Sequence, residues 1–498
     1  MAIQALLVIL AVLLVLLFLG VPISYAIAVS SLTAILSSID LNVAVLTAAQ
    51  RTFVGMSKFS LTAIPFFILA GNIMNQGGIA KRLVDFVMAI LGKMPGALLV
   101  TNIGTNALFG AISGSASAAA AAVGSMIRDG ADEQGYDPAV TAATNAASSC
   151  SGLLIPPSNA LITYSLASGG TSVAALFMAG YIPGIIWALC CCVVGVLLAV
   201  KLGYKGTPGK FDWKNLGVCT LRALPSLSLI IVVIGGIIGG VFSATEGSAI
   251  AVVYALVLAF CYRSINLKSL WKIIVDSAKM SGMVVFLVGV SNILGWVMAF
   301  LQIPDAVAAA LLSLTSNKYI ILLIMNVILL VSGTFMDVTP AILIFTPLFL
   351  PICQSFGMST IQFGLILVYN LCIGNITPPV GNALFVGIKV GRTSLSKVMP
   401  YMLMYYVAII GGLLLVTFIP QIMDTGGNCG SQASTMIIRG LALDEISPKD
   451  FTKAWWKEIR VALLCSIALC SVNFIRILIQ YHDPQVALVV SGTLMLTI

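Results

Sequence analysis

The residues best placed to do chemistry in this 498-residue chain sit beside glycine and proline breaks inside apolar runs. Ser113, Gly114 and Ser115 interrupt one small-residue stretch, and Ser158 and Asn159 follow Pro156-Pro157 at the end of another. A second set holds Gly333, Asp337 and Thr339, then Asn375, Thr377, Pro378-Pro379 and Gly381. Broken backbone frees carbonyl oxygens that suit a hard cation such as Na⁺, while hydroxyls and half-helix N-termini suit a carboxylate. Lipid cannot hydrogen-bond freed N–H and C=O groups, so such breaks must be covered by protein or line a cavity. Asp337 has two readings: a functional carboxylate among apolar runs, or the N-cap of the helix that Pro340 enters. Glu246, in Ala244-Thr245-Glu246-Gly247, reads first as a capping residue.

Other chemistries are poorly served. The sequence has one histidine, His482, and its eleven cysteines form no C-x-x-C pair, so they read as small hydrophobes. The apolar spans hold no Ser/His or paired-Asp constellation for an intramembrane enzyme. No phosphate loop is present, which points away from nucleotide-driven transport.

The elements that must position these residues occur twice. At an offset of 222, Gly135 meets Gly357, Cys150 meets Cys372, Gly152 meets Gly374 and Pro156-Pro157 meet Pro378-Pro379. Asn159-Ala160-Leu161 returns as Asn382-Ala383-Leu384, and Asp137 and Ser359 stand as N-caps before the two helices. Earlier landmarks agree, with Ala26-Ile27-Ala28-Val29 returning as Ala249-Ile250-Ala251-Val252. Near-constant offsets over such separated points indicate internal duplication. Matching interrupted segments in two halves of a hydrophobic chain mark a transporter binding site; the plainer alternative is a pair of closely packed Gly/Ala helices.

With 60% hydrophobic and 8% charged residues, the chain falls in the polytopic membrane class. Its net charge of +8 is scattered over loops and is no nucleic-acid footprint. The first apolar run lacks a basic leader and a cleavage site, so it reads as a retained helix. Asp40–Lys58 is expected to lie along the interface, with the basic arm Arg263–Lys279 as its counterpart. The basic bridge Lys201–Arg222 is expected to be a cytoplasmic loop between the halves. The resulting division is residues 1–205 as first repeat, 206–224 as linker, 225–421 as second repeat and 422–498 as a tail. Asn75–Lys93 is more basic than its counterpart Gly295–Lys318, which suits copies of opposite topology.

At Ile64-Pro65-Phe66-Phe67-Ile68-Leu69-Ala70-Gly71, Phe109 through Ala118, Ile155-Pro156-Pro157-Ser158, Ala244-Thr245-Glu246 and Thr377-Pro378-Pro379-Val380-Gly381, the sequence resembles the large permease subunit of tripartite ATP-independent periplasmic (TRAP) transporters. The resemblance runs from about Gly20 to Pro420. It implies an all-α polytopic membrane protein of two inverted-topology repeats, each with a re-entrant helical hairpin and a Pro-Pro-broken helix. It further implies an elevator mechanism in a bacterial inner membrane, with no cofactor beyond Na⁺ as coupling ion. The implied partners are a small four-helix membrane subunit, a periplasmic substrate-binding protein and an organic-acid substrate. By the same resemblance, Ser113, Ser115, Ser158 and Asn159 would face substrate. Sodium would lie near Gly114, Pro156, Gly333, Asp337, Thr339, Asn375, Thr377, Pro378 and Gly381.

The tail differs. Residues 424–442 resemble the membrane domain of MgtE-type magnesium channels, and the final apolar run, Val486–Ile498, is too short to span. The tail is therefore expected to be a truncated, inert piece from a joined or misassembled reading frame. The competing functions are a stand-alone sodium/dicarboxylate symporter of related architecture and, resting on the tail alone, a magnesium channel.

Overall fold

The computed structural model describes residues 2–206, 212–315 and 317–418, with Phe474 beyond them. The expectations for the tail at 422–498 lie outside the described residues. Every regular element among those described is helical. Among the described residues, six helices are long and apolar enough to cross a membrane, or seven when one bent pair is taken as a single span.

The first half opens with Ala2–Phe18 and Ile23–Ile35, followed by Leu41–Met56 and Phe59–Gln76. These last two are bent by 60° at the Ser57-Lys58 break. Ile79–Leu91 leads into a hairpin of Ala97–Ser113 and Ala116–Glu133. Next comes a broken helix, Pro138–Ser149 with the short turn Ser151–Leu154, resuming after the break as Asn159–Ala167. Val173–Leu202 closes the half. The second half runs Trp213–Ile238, Ala244–Cys261, Leu267–Phe300, Ile303–Leu314 and a hairpin of Lys318–Gly333 and Val338–Ser355. Its broken helix is Thr360–Asn375 and Asn382–Val390, and Leu395–Phe418 is its last span. Both Pro-Pro bonds at the breaks, Pro156-Pro157 and Pro378-Pro379, are cis.

Two sequence expectations need correcting. The basic arm at 263–279 is no separate segment: most of it is the start of one 34-residue helix, Leu267–Phe300, capped by Asn266. At 1.5 Å per residue that helix is about 50 Å long, beyond a ~30 Å hydrocarbon core, so its Lys268, Lys272 and Lys279 need no separate element. The loop expected at 201–222 is shorter. Helix Val173–Leu202 includes Lys201, and Trp213–Ile238 takes in Lys214 and Arg222. Its start is set by Asp212, whose carboxylate accepts from the Lys214 and Asn215 amides at 2.9 and 3.0 Å. The segment at 40–58 is a helix, Leu41–Met56, bearing exposed Val43, Leu46, Phe53 and Val54.

Small residues decide the packing around each hairpin. Helix Ala97–Ser113 crosses its broken helix where Gly110 meets Gly152, and a Cβ on Gly152 would fall 2.2 Å from the Gly110 Cα. In the other half, a Cβ on Gly374 would fall 2.4 Å from the Gly333 carbonyl carbon. An asparagine lies beside each crossing. The Asn106 carboxamide donates to Asn145 Oδ1 at 3.1 Å and Ser148 Oγ at 2.8 Å. Asn370 donates to the Asn326 carbonyl and carboxamide oxygens, both at 2.9 Å. Such buried carboxamides hold helices together where hydrophobic attraction between helices is absent.

The halves interlock. Asn159–Ala167 packs on Val338–Ser355, and Asn382–Val390 packs on Ala116–Glu133, so each resumed half-helix braces the other half's hairpin. Buried aromatics pin the long helices alongside: Trp187 donates to the Ala147 carbonyl at 2.8 Å, and Tyr405 and Thr144 share a 2.7 Å hydroxyl contact. In a further layer, Ala244–Cys261 packs on Ala63–Gln76, and Leu267–Phe300 packs on Ile23–Ile35 and Leu41–Met56. A polar link, Asn72 to Ser277 Oγ at 2.8 Å, joins this layer across the halves. Ile185, Leu189, Val193 and Leu197, spaced four apart on Val173–Leu202, are all exposed and form an apolar stripe suited to lipid.

Candidate substrate and cation site

The first hairpin turns at Gly114, whose left-handed φ of +61° ends the incoming helix with its N–H on the Gly110 carbonyl at 2.8 Å. Glycine is required twice here. Only glycine adopts that φ without strain, and a Cβ would stand 3.0 Å from Asn159 Nδ2. The Asn159 side-chain Nδ2 donates to the Gly114 carbonyl at 3.4 Å, fastening the turn to the resumed half-helix. Asn159 Oδ1 is buried with no partner.

Ser115 caps Ala116–Glu133, accepting from the Ala118 amide at 3.4 Å, and its Oγ is 3.3 Å from Ser117 Oγ. Ser113 is 5% exposed and its hydroxyl donates to the Ser115 carbonyl at 3.4 Å. Ser113, Gly114, Ser115 and Asn159 are thus brought together at the junction of a turn and two helix N-termini. Ser158 is placed differently. It is fully buried, donates to the Leu153 carbonyl and accepts from the Leu161 amide at 3.3 Å. Both hydrogen-bonding functions of its hydroxyl bridge the Pro156-Pro157 break.

The second break is tied to the second hairpin through the Val380 amide, which donates to the Thr334 carbonyl at 3.1 Å. Thr377 Oγ1 donates to Ile373 at 2.6 Å, the Gly381 amide donates to the Thr377 carbonyl at 3.1 Å, and Tyr406 donates to Ile376 at 2.6 Å. Gly333, Asn375, Thr377, Pro378 and Gly381 therefore form one cluster. Asp337 occupies the N-cap position of Val338–Ser355, yet its side chain makes no capping hydrogen bond and is exposed. The capping alternative is not realised, and the carboxylate is not buried in apolar surroundings. Thr339, two residues further on, is half-buried. Glu246 does cap: it accepts from the Ser243 amide at 2.7 Å while Ser243 Oγ accepts from the Glu246 amide at 3.2 Å.

Sequence reasoning missed the meeting of the two broken helices. Asn375 donates to Cys150 Sγ at 3.9 Å, and Cys372 Sγ donates to the Cys150 carbonyl at 3.9 Å. Asn375 Oδ1, like Asn159 Oδ1, is buried without a partner. These two oxygens, one beside each break, are acceptors of the type a hard cation or a water seeks, as are the equally unpartnered Oδ1 atoms of Asn106 and Asn370 at the helix crossings. Among the described residues no group of three or more His, Cys, Asp or Glu converges. The 222-residue offset between Cys150 and Cys372 was the available signal, because equivalent residues near a pseudo-symmetry axis can touch.

A helical membrane protein in which two proline-broken helices meet two hairpin turns has the architecture of a secondary transporter. Residues 10–422 match the family described as tripartite ATP-independent periplasmic transporter, DctM component, and the chain belongs to that family of inner-membrane transporters, which are not enzymes. Residues 419–498 match a second family, MgtE, a divalent cation transporter. The chain is 50% identical over 403 residues to the uncharacterized protein YgiK of Salmonella typhimurium, covering 81% of this chain and 92% of that one. It is 35% identical to the C4-dicarboxylate TRAP transporter large permease protein DctM of Pseudomonas aeruginosa, over 79% of this chain and 91% of the relative. The sialic acid TRAP transporter large permease protein SiaM of Vibrio cholerae is 32% identical, over 82% and 94%. Among solved structures, the Alcanivorax borkumensis YdaH transporter superposes with a TM-score of 0.59 at 15% identity, covering 76% of this chain and 89% of its own, which shows a shared fold.

Proposed function

We propose that this chain is the large membrane subunit of a Na⁺-driven importer of a small organic acid. The observation that carries this reading is the convergence at each break: a hairpin turn, a resumed helix and an orphaned carboxamide oxygen, at Asn159 in one half and Asn375 in the other. Around Gly114 and Asn159, backbone carbonyls and the orphaned Oδ1 suit Na⁺, while Ser115 and the two helix N-termini suit a carboxylate. The cluster of Gly333, Asn375, Thr377 and Gly381 is the second cation region, with Asp337 at its margin.

The two halves are inverted-topology repeats in this reading. Their hairpins and broken helices form a body that moves as an elevator against the layer built from 23–76 and 244–300. A small membrane subunit supports that layer, and a periplasmic binding protein delivers the acid, as the family in general implies. The relatives named for C4-dicarboxylate and sialic acid support a carboxylate as the recognised group. The residues beyond 421 take no part in transport.

The test is uptake into vesicles reconstituted with the full chain, the small subunit and the loaded binding protein. Accumulation is expected with Na⁺ outside and none with an ATP supply alone. Equal uptake in choline medium would sink the Na⁺ reading. Undiminished uptake without the binding protein would favour the stand-alone symporter instead.

A further inference from the structure

One end of the layer built from 23–76 and 244–300 carries cations that the transport reading leaves unused. The turn after Ala244–Cys261 packs against the start of Ile79–Leu91, where a Cβ on Gly78 would lie 3.1 Å from Ser264 Oγ. There the Arg82 guanidinium lies on the Tyr262 ring, 3.1 Å from its centroid. A guanidinium held by a ring face keeps its planar N–H edge free for an anion. Arg263 follows in the turn, and the next helix, Leu267–Phe300, adds Lys268, Lys272 and Lys279, all exposed. At i, i+4 and i+11 the three lysines form one stripe along that helix. Beside the stripe stand Leu267 and Trp271, 79% and 69% exposed, while Ile273, Ser277 and Ser281 are buried against the protein. Among the described residues none of these five cations is in an ion pair. The only acids on the two helices are Asp85 and Asp276.

We propose that this corner binds the phosphodiester headgroup of an anionic phospholipid, with Arg82, Arg263 and the lysine stripe as its cations. The proposal stands independently of what the chain transports. Leu267–Phe300 is about 50 Å long against a ~30 Å hydrocarbon core, so roughly 20 Å of it lies outside that core. The end that bears lysines and an exposed tryptophan is the end suited to headgroup depth. Leu267 and Trp271 then rest on acyl chains beside the headgroup, and the cations meet its phosphate. A zwitterionic headgroup offers the same phosphate but brings its own ammonium, which the lysine stripe repels. An anionic headgroup brings no such group.

The experiment is native mass spectrometry of the purified full chain in detergent, titrated separately with phosphatidylglycerol, with phosphatidylethanolamine of the same acyl chains, and with inorganic phosphate. Phosphatidylglycerol is expected to be retained at concentrations at least about tenfold lower than phosphatidylethanolamine, since each cation near an anionic surface contributes about fivefold. The triple variant Arg82→Gln/Lys268→Gln/Lys272→Gln is expected to lose that preference. Lys201→Gln/Lys214→Gln/Lys397→Gln, which removes the same charge at exposed positions elsewhere, is expected to keep it. Lys268→Gln/Lys272→Gln, which leaves Arg82 on its ring, is expected to weaken the preference severalfold with an unchanged lipid-free melt. Equal retention of the two lipids by the unaltered chain overturns the proposal. So does a preference that survives in the corner variants, or one lost equally in both triple variants, which would reduce it to net charge. Inorganic phosphate bound by the unaltered chain and lost in the corner variants would make this a free-phosphate site and overturn the lipid assignment.

Discussion

Among single residues, Asp337 is the sharpest discriminator. Its position before Val338–Ser355 is that of an N-cap, but it makes no capping bond, so helix stability does not explain a carboxylate there. A charged oxygen at the margin of the second cation region would raise Na⁺ affinity through attraction that a neutral amide lacks. Asp337→Asn is therefore expected to raise the Na⁺ concentration for half-maximal uptake several-fold, with near-normal membrane expression, since Asn serves a helix start equally well. Unchanged Na⁺ dependence would remove Asp337 from the ion site. Local chemistry of this kind was legible in the sequence where partners lie within a few residues. Asp137, Ser359 and Glu246 cap as their flanking residues imply. The family resemblance implies that Ser158 faces substrate, and the structure adds what sequence does not show, that its hydroxyl is engaged by Leu153 and Leu161. The orphaned oxygens of Asn159 and Asn375 are likewise products of three-dimensional surroundings.

At the scale of elements, the paired breaks and hairpins were readable because glycine and proline act locally, whichever tertiary partners surround them. Continuity was harder to read. Leu41–Met56 and Phe59–Gln76 bend by 60° at Ser57-Lys58, whereas Leu267–Phe300 continues as one helix through Ser281-Gly282, and no residue of either stretch dictates that difference alone. The close helix crossings were hidden too, because a glycine packed against backbone looks the same in sequence as one facing open space. The structure separates them: a Cβ at Gly374 would meet Gly333 backbone at 2.4 Å, while one at Gly295 meets nothing within 4 Å. Backbone cannot swing aside as a side chain can, so Gly374→Ala is expected to destabilise by about 1–3 kcal/mol, the usual range for overpacking. Gly295→Ala, in the interior of a helix, is expected to be neutral or to stabilise by about 0.5–1 kcal/mol. Melting both variants in detergent checks this; equal unfolding temperatures would mean that the Gly333–Gly374 crossing has room to open.

For the whole molecule, the question is which part of the chain is the working machine. Both hairpins and both broken helices lie before Phe418, and the transporter family match ends at residue 422. The second match, to a divalent cation transporter, begins at 419 and covers the rest. The interlocking contacts among the described residues, such as Asn159–Ala167 on Val338–Ser355 and Val173–Leu202 on Leu395–Phe418, close within this region. The polar groups freed at the breaks find their partners there as well: Leu153 with Ser158, Ile373 with Thr377, Thr334 with Val380. Satisfied backbone is the requirement that lipid imposes most strictly. A chain ending after Gln421 is therefore expected to insert, to show an unfolding temperature close to that of the full chain, and to keep Na⁺-driven uptake when assembled with the small subunit and binding protein. Magnesium uptake is expected in neither form. A shortened protein that inserts and melts normally yet loses uptake would make the tail part of the transport cycle.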